Sequence, residues 1–404
     1  MAGFQFVLLA ASFAAAFVAV PVVRRFGRAI GLLDEPHSRK LQRVPVPRTG
    51  GIGVVAGFSV GVCLLPEGAF SPGVVALLTG GAIIHLTGIL DDRFDLAPWA
   101  KLTGQALAGL AAIAGGVVLR EVAIPGGAVW HLGVLAGPVT LFLFLGFINA
   151  INLADGLDGL AAGVVLVGAL AVAWVVTVSG NPVIASLALA LAGATAGFLP
   201  HNFFRGRTFL GDSGSMLIGY LLGGTAIAGS GGASGTAPLF AALAAVALPV
   251  LDTATTIVRR HRRGQGVFAA DSMHLHHRLI RAGLGPRRAV AVILAITAVI
   301  AGQTVASLSG GGVVLRIASL LPAAFLCATW KRRVARPVTD DAGFREVLLY
   351  LLGARDGHGP RLRGDLEIVD IVRANEAREG AAEVASAAGE PTPSWEAGSR
   401  LRAG

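Results

Sequence analysis

The chain has 404 residues, 54% hydrophobic and 14% charged, with a mean hydropathy of +0.71. Soluble domains carry about 25% charged residues, so these figures exclude an ordinary soluble enzyme, a disulfide-stapled secreted module and a disordered chain. The net charge of +9 raises nucleic acid as a partner. No aromatic-interleaved basic motif accompanies that charge, and no nucleic-acid partner is expected.

The apolar residues fall into about eleven blocks, over 4–23, 50–66, 72–90, 102–119, 132–151, 159–179, 182–199, 213–229, 237–257, 289–308 and 311–330. Blocks of this length span a bilayer as helices. The expected fold is an all-α polytopic membrane protein of about 11 transmembrane helices. Cys63 and Cys327 lie inside blocks and read as small hydrophobes, not as a disulfide or a metal pair. The first block has no basic region before it and a basic run after it, which favours an anchor over a signal peptide. Residues 1–335 form the expected transmembrane domain, and 336–404 a polar, partly disordered tail.

After the first block comes a loop with Arg39, Lys40, Arg43 and Arg48, stiffened by Pro45 and Pro47 and turned by Gly50-Gly51. Topology alone explains its charge, so a functional reading from composition is weak. The third block ends in Asp91-Asp92-Arg93-Phe94-Asp95. On a continuing helix Asp91 and Asp95 share a face. Such close carboxylates suit a hard cation, Mg²⁺ or Mn²⁺. A solvated helix end with incidental acids is the alternative.

The fifth block runs into Asn149, Asn152, Asp155 and Asp158, polar positions at a spacing of three, with Asp155-Gly156 and Asp158-Gly159 also reading as turns. Asn supplies both a donor and an acceptor, as base or sugar recognition requires. Between the seventh and eighth blocks lie His201, Asn202, Phe209 and Gly211-Asp212-Ser213-Gly214-Ser215. Small residues at a helix N-terminus hold phosphate, and Asp212 reads equally as a simple N-cap. After the ninth block a basic loop carries His274, His276 and His277. Their spacing is not a zinc pattern, and with so many Arg nearby phosphate is the better ligand.

Positive charge separates the alternating loops. Arg24 to Arg48, Arg93 and Lys101, Arg205 and Arg207, Arg259 to Arg288 and Lys331 to Arg336 share one side, and the opposite side holds only Arg120 and Arg316. By the positive-inside rule the rich side is cytoplasmic, with the N-terminus outside and the C-terminus cytoplasmic. The acids, amides and histidines above all gather at that side. A transporter is expected to carry polar groups near the midplane, so an enzyme at the cytoplasmic face is favoured over a sugar-lipid transporter or a non-catalytic scaffold. Phosphoryl transfer between a soluble nucleotide and a membrane lipid suits this combination.

The order Pro45-Val-Pro-Arg-Thr-Gly-Gly51, Asp91-Asp92-x-x-Asp95, Asn149 to Leu160, Phe209 to Ser215 and His274 to His277 resembles the polyprenyl-phosphate sugar-1-phosphate transferases. The resemblance is nearest to the N-acetylglucosamine-1-phosphate branch of cell-wall and lipopolysaccharide synthesis, and more distant to the phospho-MurNAc-pentapeptide transferases. It implies transfer of a sugar 1-phosphate, N-acetylglucosamine 1-phosphate above all, from a UDP-sugar to undecaprenyl or another polyprenyl phosphate. UMP is released, Mg²⁺ is the cofactor with Mn²⁺ as its substitute, and the enzyme is a homodimer in the bacterial cytoplasmic membrane.

Carried over by motif, Asp91 and Asp92 lie beside the metal and the lipid phosphate, with Asp91 the base. Asp212 is the direct metal ligand, with Asp92 beside it. Asn149, Asn152, Asp155 and Asp158 line the nucleotide pocket, and Phe209 stacks on uracil. Lys101 and Asn202 support the diphosphate, Arg39 and Lys40 bind substrate, and His274, His276 and His277 contact the diphosphate or sugar. The chain departs from the family pattern at His37, Gln42, His201 and Ser272.

Overall fold

The computed structural model describes residues 2–35, 44–123, 128–203, 206–231, 235–262, 275, 279–280 and 284–308. The chain divides into two compact units. The first comprises 1–34, 46–276 and 286–336; the second comprises 35–45, 277–285 and 337–404 and lies almost wholly outside the described residues. The eleventh apolar block, the tail, Arg39, Lys40, His274, His276 and His277 also lie outside them.

The first unit is mostly helical. Its helices are α1 (Ala2–Ala29), α2 (Gly50–Cys63), α3 (Pro72–Phe94), α4 (Pro98–Ala114), α5 (Ala136–Ala154), α6 (Leu160–Val178), α7 (Pro182–Asn202), α8 (Gly211–Gly229), α9 (Ala237–Arg262) and α10 (Pro286–Leu308). Each coincides with one of the first ten apolar blocks. Among the described residues seven helices are long and apolar enough to cross a membrane: α1, α3, α5, α6, α7, α9 and α10. The 14-residue α2 falls short by length.

Helix α8 needs no apolar exterior. It packs against α2, α3, α5, α6, α7 and α9, and its residues from Ser213 to Ile227 are all buried. Its small residues permit close backbone approach where lipid offers no hydrophobic drive for packing. Tyr220 stacks on Phe144 at 5.0 Å, and its hydroxyl donates to the carbonyls of Leu77 in α3 (3.1 Å) and Ala108 in α4 (3.4 Å). A buried phenol with two backbone acceptors keeps α3, α4 and α8 in one register.

Strands are few. β1 (Leu33–Asp34) pairs antiparallel with β2 (Val46–Pro47), and β3 (Glu121–Ala123) with β4 (Val129–His131). The β1–β2 clip brings the chain back after the first loop and leads into α2. The β3–β4 hairpin is tied to the bundle by Thr236, whose hydroxyl accepts from the Ala123 N–H (3.2 Å) and donates to the Ala123 carbonyl (2.9 Å).

Candidate active site

Helix α3 ends at Phe94, because Asp95 takes a left-handed conformation (φ 50°) and its N–H closes on the Asp91 carbonyl at 2.9 Å. This corrects the expectation that Asp91 and Asp95 share a helical face. Asp95 is exposed, whereas Asp91 is buried. The turn is sealed by the Leu96 N–H donating to the Asp91 carboxylate (2.9 Å), and Pro98 then opens α4. Proline suits the first helical position because the N–H it lacks would have had no partner.

The tight connection puts Lys101, in the first turn of α4, against Asp91. Its Nζ lies 2.5 Å from the carboxylate of Asp91 and 3.4 Å from that of Asp212. The Asp91 side chain is 1% exposed, that of Asp212 31%. The pair is asymmetric: Asp91 is committed to Lys101, while Asp212 keeps an open side.

Asp212 stands in the first turn of α8 and does not cap it; the helix begins at Gly211 (φ 74°). The N-cap alternative for Asp212 therefore fails. Capping comes instead from another helix. The Asp92 carboxylate accepts the Asp212 N–H at 2.9 Å and the Ser213 N–H at 3.0 Å, one on each oxygen. These amides have no partner within α8, and a carboxylate also complements the positive end of the helix dipole. Relieved of capping, the Asp212 side chain accepts from Asn152 Nδ2 at 2.6 Å. Asn152 Nδ2 also donates to the Ser215 hydroxyl at 2.9 Å. Four helices, α3, α4, α5 and α8, thus deliver Asp91, Asp92, Lys101, Asn152, Asp212 and Ser215 to one place.

A second polar group adjoins it. Asn202, at the end of α7, is buried; its oxygen accepts the Gly159 N–H (2.5 Å), and its nitrogen donates to Asp158 (3.2 Å) and to the Thr208 carbonyl (3.0 Å). Asn202 therefore braces the turn that carries Asp158 and the segment leading to Phe209. Burial pushes the Asp158 carboxyl up to about 6, against the hydrogen bond from Asn202 and the charge of Arg287. Burial, then the negative charges of Asp212, Asp158 and Asp92, holds the Asp155 carboxyl well above the usual range. Both turn expectations hold as well: Asp155 terminates α5, and Gly159 precedes α6 with φ 85°.

Asn149 is not part of the acidic cluster. It exchanges hydrogen bonds with Gln105 of α4 (2.7 and 3.3 Å), one turn deeper in the bundle. Phe209 is part-buried beside the start of α2: its N–H donates to the Pro47 carbonyl and its carbonyl accepts the Gly50 N–H, both at 2.9 Å. His201 turns away to α1, with Nε2 3.0 Å from the Phe17 carbonyl and its ring 4.8 Å from that of Phe17. That departure from the family pattern leaves the cluster untouched.

Sequence reasoning missed Gln105, His85 and the parts played by Arg48 and Ser215. Arg48 is held by Asp34, and Asp92 and Asp212 act on its guanidinium through their charge. His85 sits in α3 with Nδ1 3.0 Å from the Ser213 carbonyl. A histidine and an amide pair thus lie within the helical bundle. Both join helices distant in sequence, so neither forms a local motif.

Among the described residues no three His, Cys, Asp or Glu side chains are placed to hold a metal ion together. Mg²⁺ does not require that, since one or two carboxylates and the substrate phosphates commonly complete its shell. Asp212 fits such a partial site, being part-exposed and next to the Asn152 amide. Asp92 fits less well as a ligand, because each of its oxygens already accepts a backbone N–H.

A family model described as Glycosyl transferase family 4 matches residues 74–230. The chain is 35% identical over 346 residues to a decaprenyl-phosphate N-acetylglucosaminephosphotransferase of Mycobacterium tuberculosis (strain ATCC 25618 / H37Rv), covering 76% of this chain and 86% of that one. It is 34% identical over 281 residues to a probable undecaprenyl-phosphate N-acetylglucosaminyl 1-phosphate transferase of Bacillus subtilis (strain 168), covering 69% and 78%. It is 30% identical over 289 residues to the undecaprenyl-phosphate alpha-N-acetylglucosaminyl 1-phosphate transferase of Escherichia coli (strain K12), covering 69% and 77%. A helical membrane chain with these likenesses is a membrane-embedded transferase. It belongs to the family of polyprenyl-phosphate N-acetylglucosamine-1-phosphate transferases.

Proposed function

We propose that this enzyme transfers N-acetylglucosamine 1-phosphate from UDP-N-acetylglucosamine to a polyprenyl phosphate, releasing UMP, at the cytoplasmic face of a bacterial inner membrane. The relatives' names supply the lipid phosphate and the sugar phosphate. The sorting of Arg and Lys between loops supports the cytoplasmic side. The observation that carries the reading is the meeting of Asp212, Asn152 and Lys101 at one end of the bundle, with Asp212 part-exposed.

In the reaction an oxygen of the lipid phosphate attacks the β-phosphorus of the UDP-sugar. The bond from that phosphorus to the bridging oxygen breaks, and UMP leaves with the electron pair. The lipid phosphate is already an anion, so no base is required to generate the nucleophile. Asp91 is well placed for a different task. Its side chain is 1% exposed, one oxygen accepts the Leu96 N–H, and the other faces Lys101. It holds the ammonium toward the incoming phosphates, which favours direct attack over a phospho-Asp91 intermediate.

Asp212 would hold Mg²⁺ or Mn²⁺, its carboxylate oriented by the Asn152 amide; the ion would neutralise charge on the diphosphate. Asp155 and Asp158, on the loop braced by Asn202, border the nucleotide side, and Phe209 offers a face for the base. Positioning and electrostatics dominate catalysis of this type.

The test is UMP release by the purified full-length protein. It should require polyprenyl phosphate and Mg²⁺, favour UDP-N-acetylglucosamine over other UDP-sugars, and vanish in Asp212→Ala. Release of UDP, or undiminished turnover in Asp212→Ala, would overturn the reading.

A further inference from the structure

Histidine is rare inside membrane helices and is costly there without a partner. His85 lies two turns before Asp92 in α3, about 10 Å further along the axis by helical rise. Its Nδ1 is 3.0 Å from the carbonyl oxygen of Ser213. A carbonyl only accepts, so Nδ1 carries the proton and donates.

His85, Gly88 and Asp92 stand at i, i+3 and i+7, on one face of α3. All three meet the same two residues of α8. Asp92 takes the N–H groups of Asp212 and Ser213. Gly88 permits the backbones to touch, since a Cβ there would lie 2.5 Å from the Ser213 nitrogen. His85 holds the Ser213 carbonyl. The peptide units around Asp212 are therefore gripped from both their donor and their acceptor sides by one helix face.

We propose that His85 is a positioning residue for Asp212. Its hydrogen bond sets the rotation and axial placement of the first turn of α8, so that the Asp212 carboxylate meets the substrate phosphates. Asp92 acts in the same cradle, through the backbone and not on substrate. The inference rests on the reading of Asp212 given above.

The experiment compares full-length wild type with His85→Leu, His85→Asn, His85→Gln and Asp212→Ala in UMP release and in hydrogen exchange of the segment 210–217. The Asn amide nitrogen falls near the Nδ1 position, that of Gln nearer Nε2. His85→Leu should lower kcat at least about tenfold with KM for UDP-N-acetylglucosamine within about twofold, and should speed exchange in 210–217. His85→Asn should regain kcat to within about threefold of wild type, and His85→Gln should not.

A wild-type kcat in His85→Leu, or equal rates in the Asn and Gln variants, would overturn the proposal. Should His85→Leu fail to fold, the contrast between Asn and Gln decides alone. Full activity in Asp212→Ala would instead remove the underlying reading. An inactive Asp212→Ala beside a fully active His85→Leu removes only this inference.

Discussion

Each side chain at the centre has its partner in another helix, and this decides what a substitution does. Asp91 is buried against Lys101. Lys101→Met leaves that carboxylate without its cation, which costs on the order of 3 kcal/mol in a buried pair. Activity should fall at least about a hundredfold, since the same ammonium faces Asp212. Asp91→Asn combined with Lys101→Met should recover most of the stability but not the activity. Denaturation of the purified variants, run as a double-mutant cycle, checks this. Equal stability losses in the single and double variants would contradict the pairing.

Asp158 gives a pH signature. Its folded value of about 6 lies above its ordinary value, so the folded state binds the proton more tightly than the unfolded state. The stabilisation is fully present below about pH 4 and is lost as pH rises through 6. Asp158→Asn removes that dependence. From pH 4 to 7 the wild type should lose stability relative to the variant, on the order of 1–2 kcal/mol after allowance for solvent screening. Thermal melts at several pH values measure it, and parallel profiles would contradict the burial of Asp158. The acids and amides stood out in the sequence because a polar residue beside an apolar block is conspicuous. Their partners did not: nothing local pairs Asp92 with the amides of 212 and 213, or Asn149 with Gln105, across more than forty residues of chain.

The elements follow the same logic. Apolar blocks located the helices well, because length and hydropathy set spans almost independently of packing. Their ends depend on single residues. The stop after Phe94 comes from the left-handed Asp95 followed closely by Pro98, which a helical projection of Asp91 and Asp95 overlooks. Contacts between helices were not readable, since a glycine at a crossing resembles any other glycine. Gly88→Ala drives a methyl into the Ser213 backbone and should cost about 1–3 kcal/mol together with much of the activity. Gly146→Ala in α5 meets nothing within 4 Å and should be neutral or gain up to about 1 kcal/mol from helix propensity. Melting temperatures of the two variants check the contrast, and equal effects would contradict the α3–α8 packing.

Across the molecule, the acids and amides brought together come from α3, α4, α5 and α8, and the loops bearing most Arg and Lys lie at the same ends of their blocks. In a cysteine-free background, Asp95→Cys should react with an impermeant maleimide only after the membrane is opened. Asn181→Cys should react in intact cells. The reverse pattern would invert the proposed orientation. In the proposed transfer reaction phosphorus, and not the sugar alone, should move from nucleotide to lipid. Purified enzyme given polyprenyl phosphate and UDP-N-acetylglucosamine labelled with ³²P at the β-phosphate tests it most directly. The label should enter the organic phase with the lipid in step with UMP formation, and Asp212→Ala should abolish both. Label retained in the aqueous phase as UDP, with sugar alone on the lipid, would contradict it.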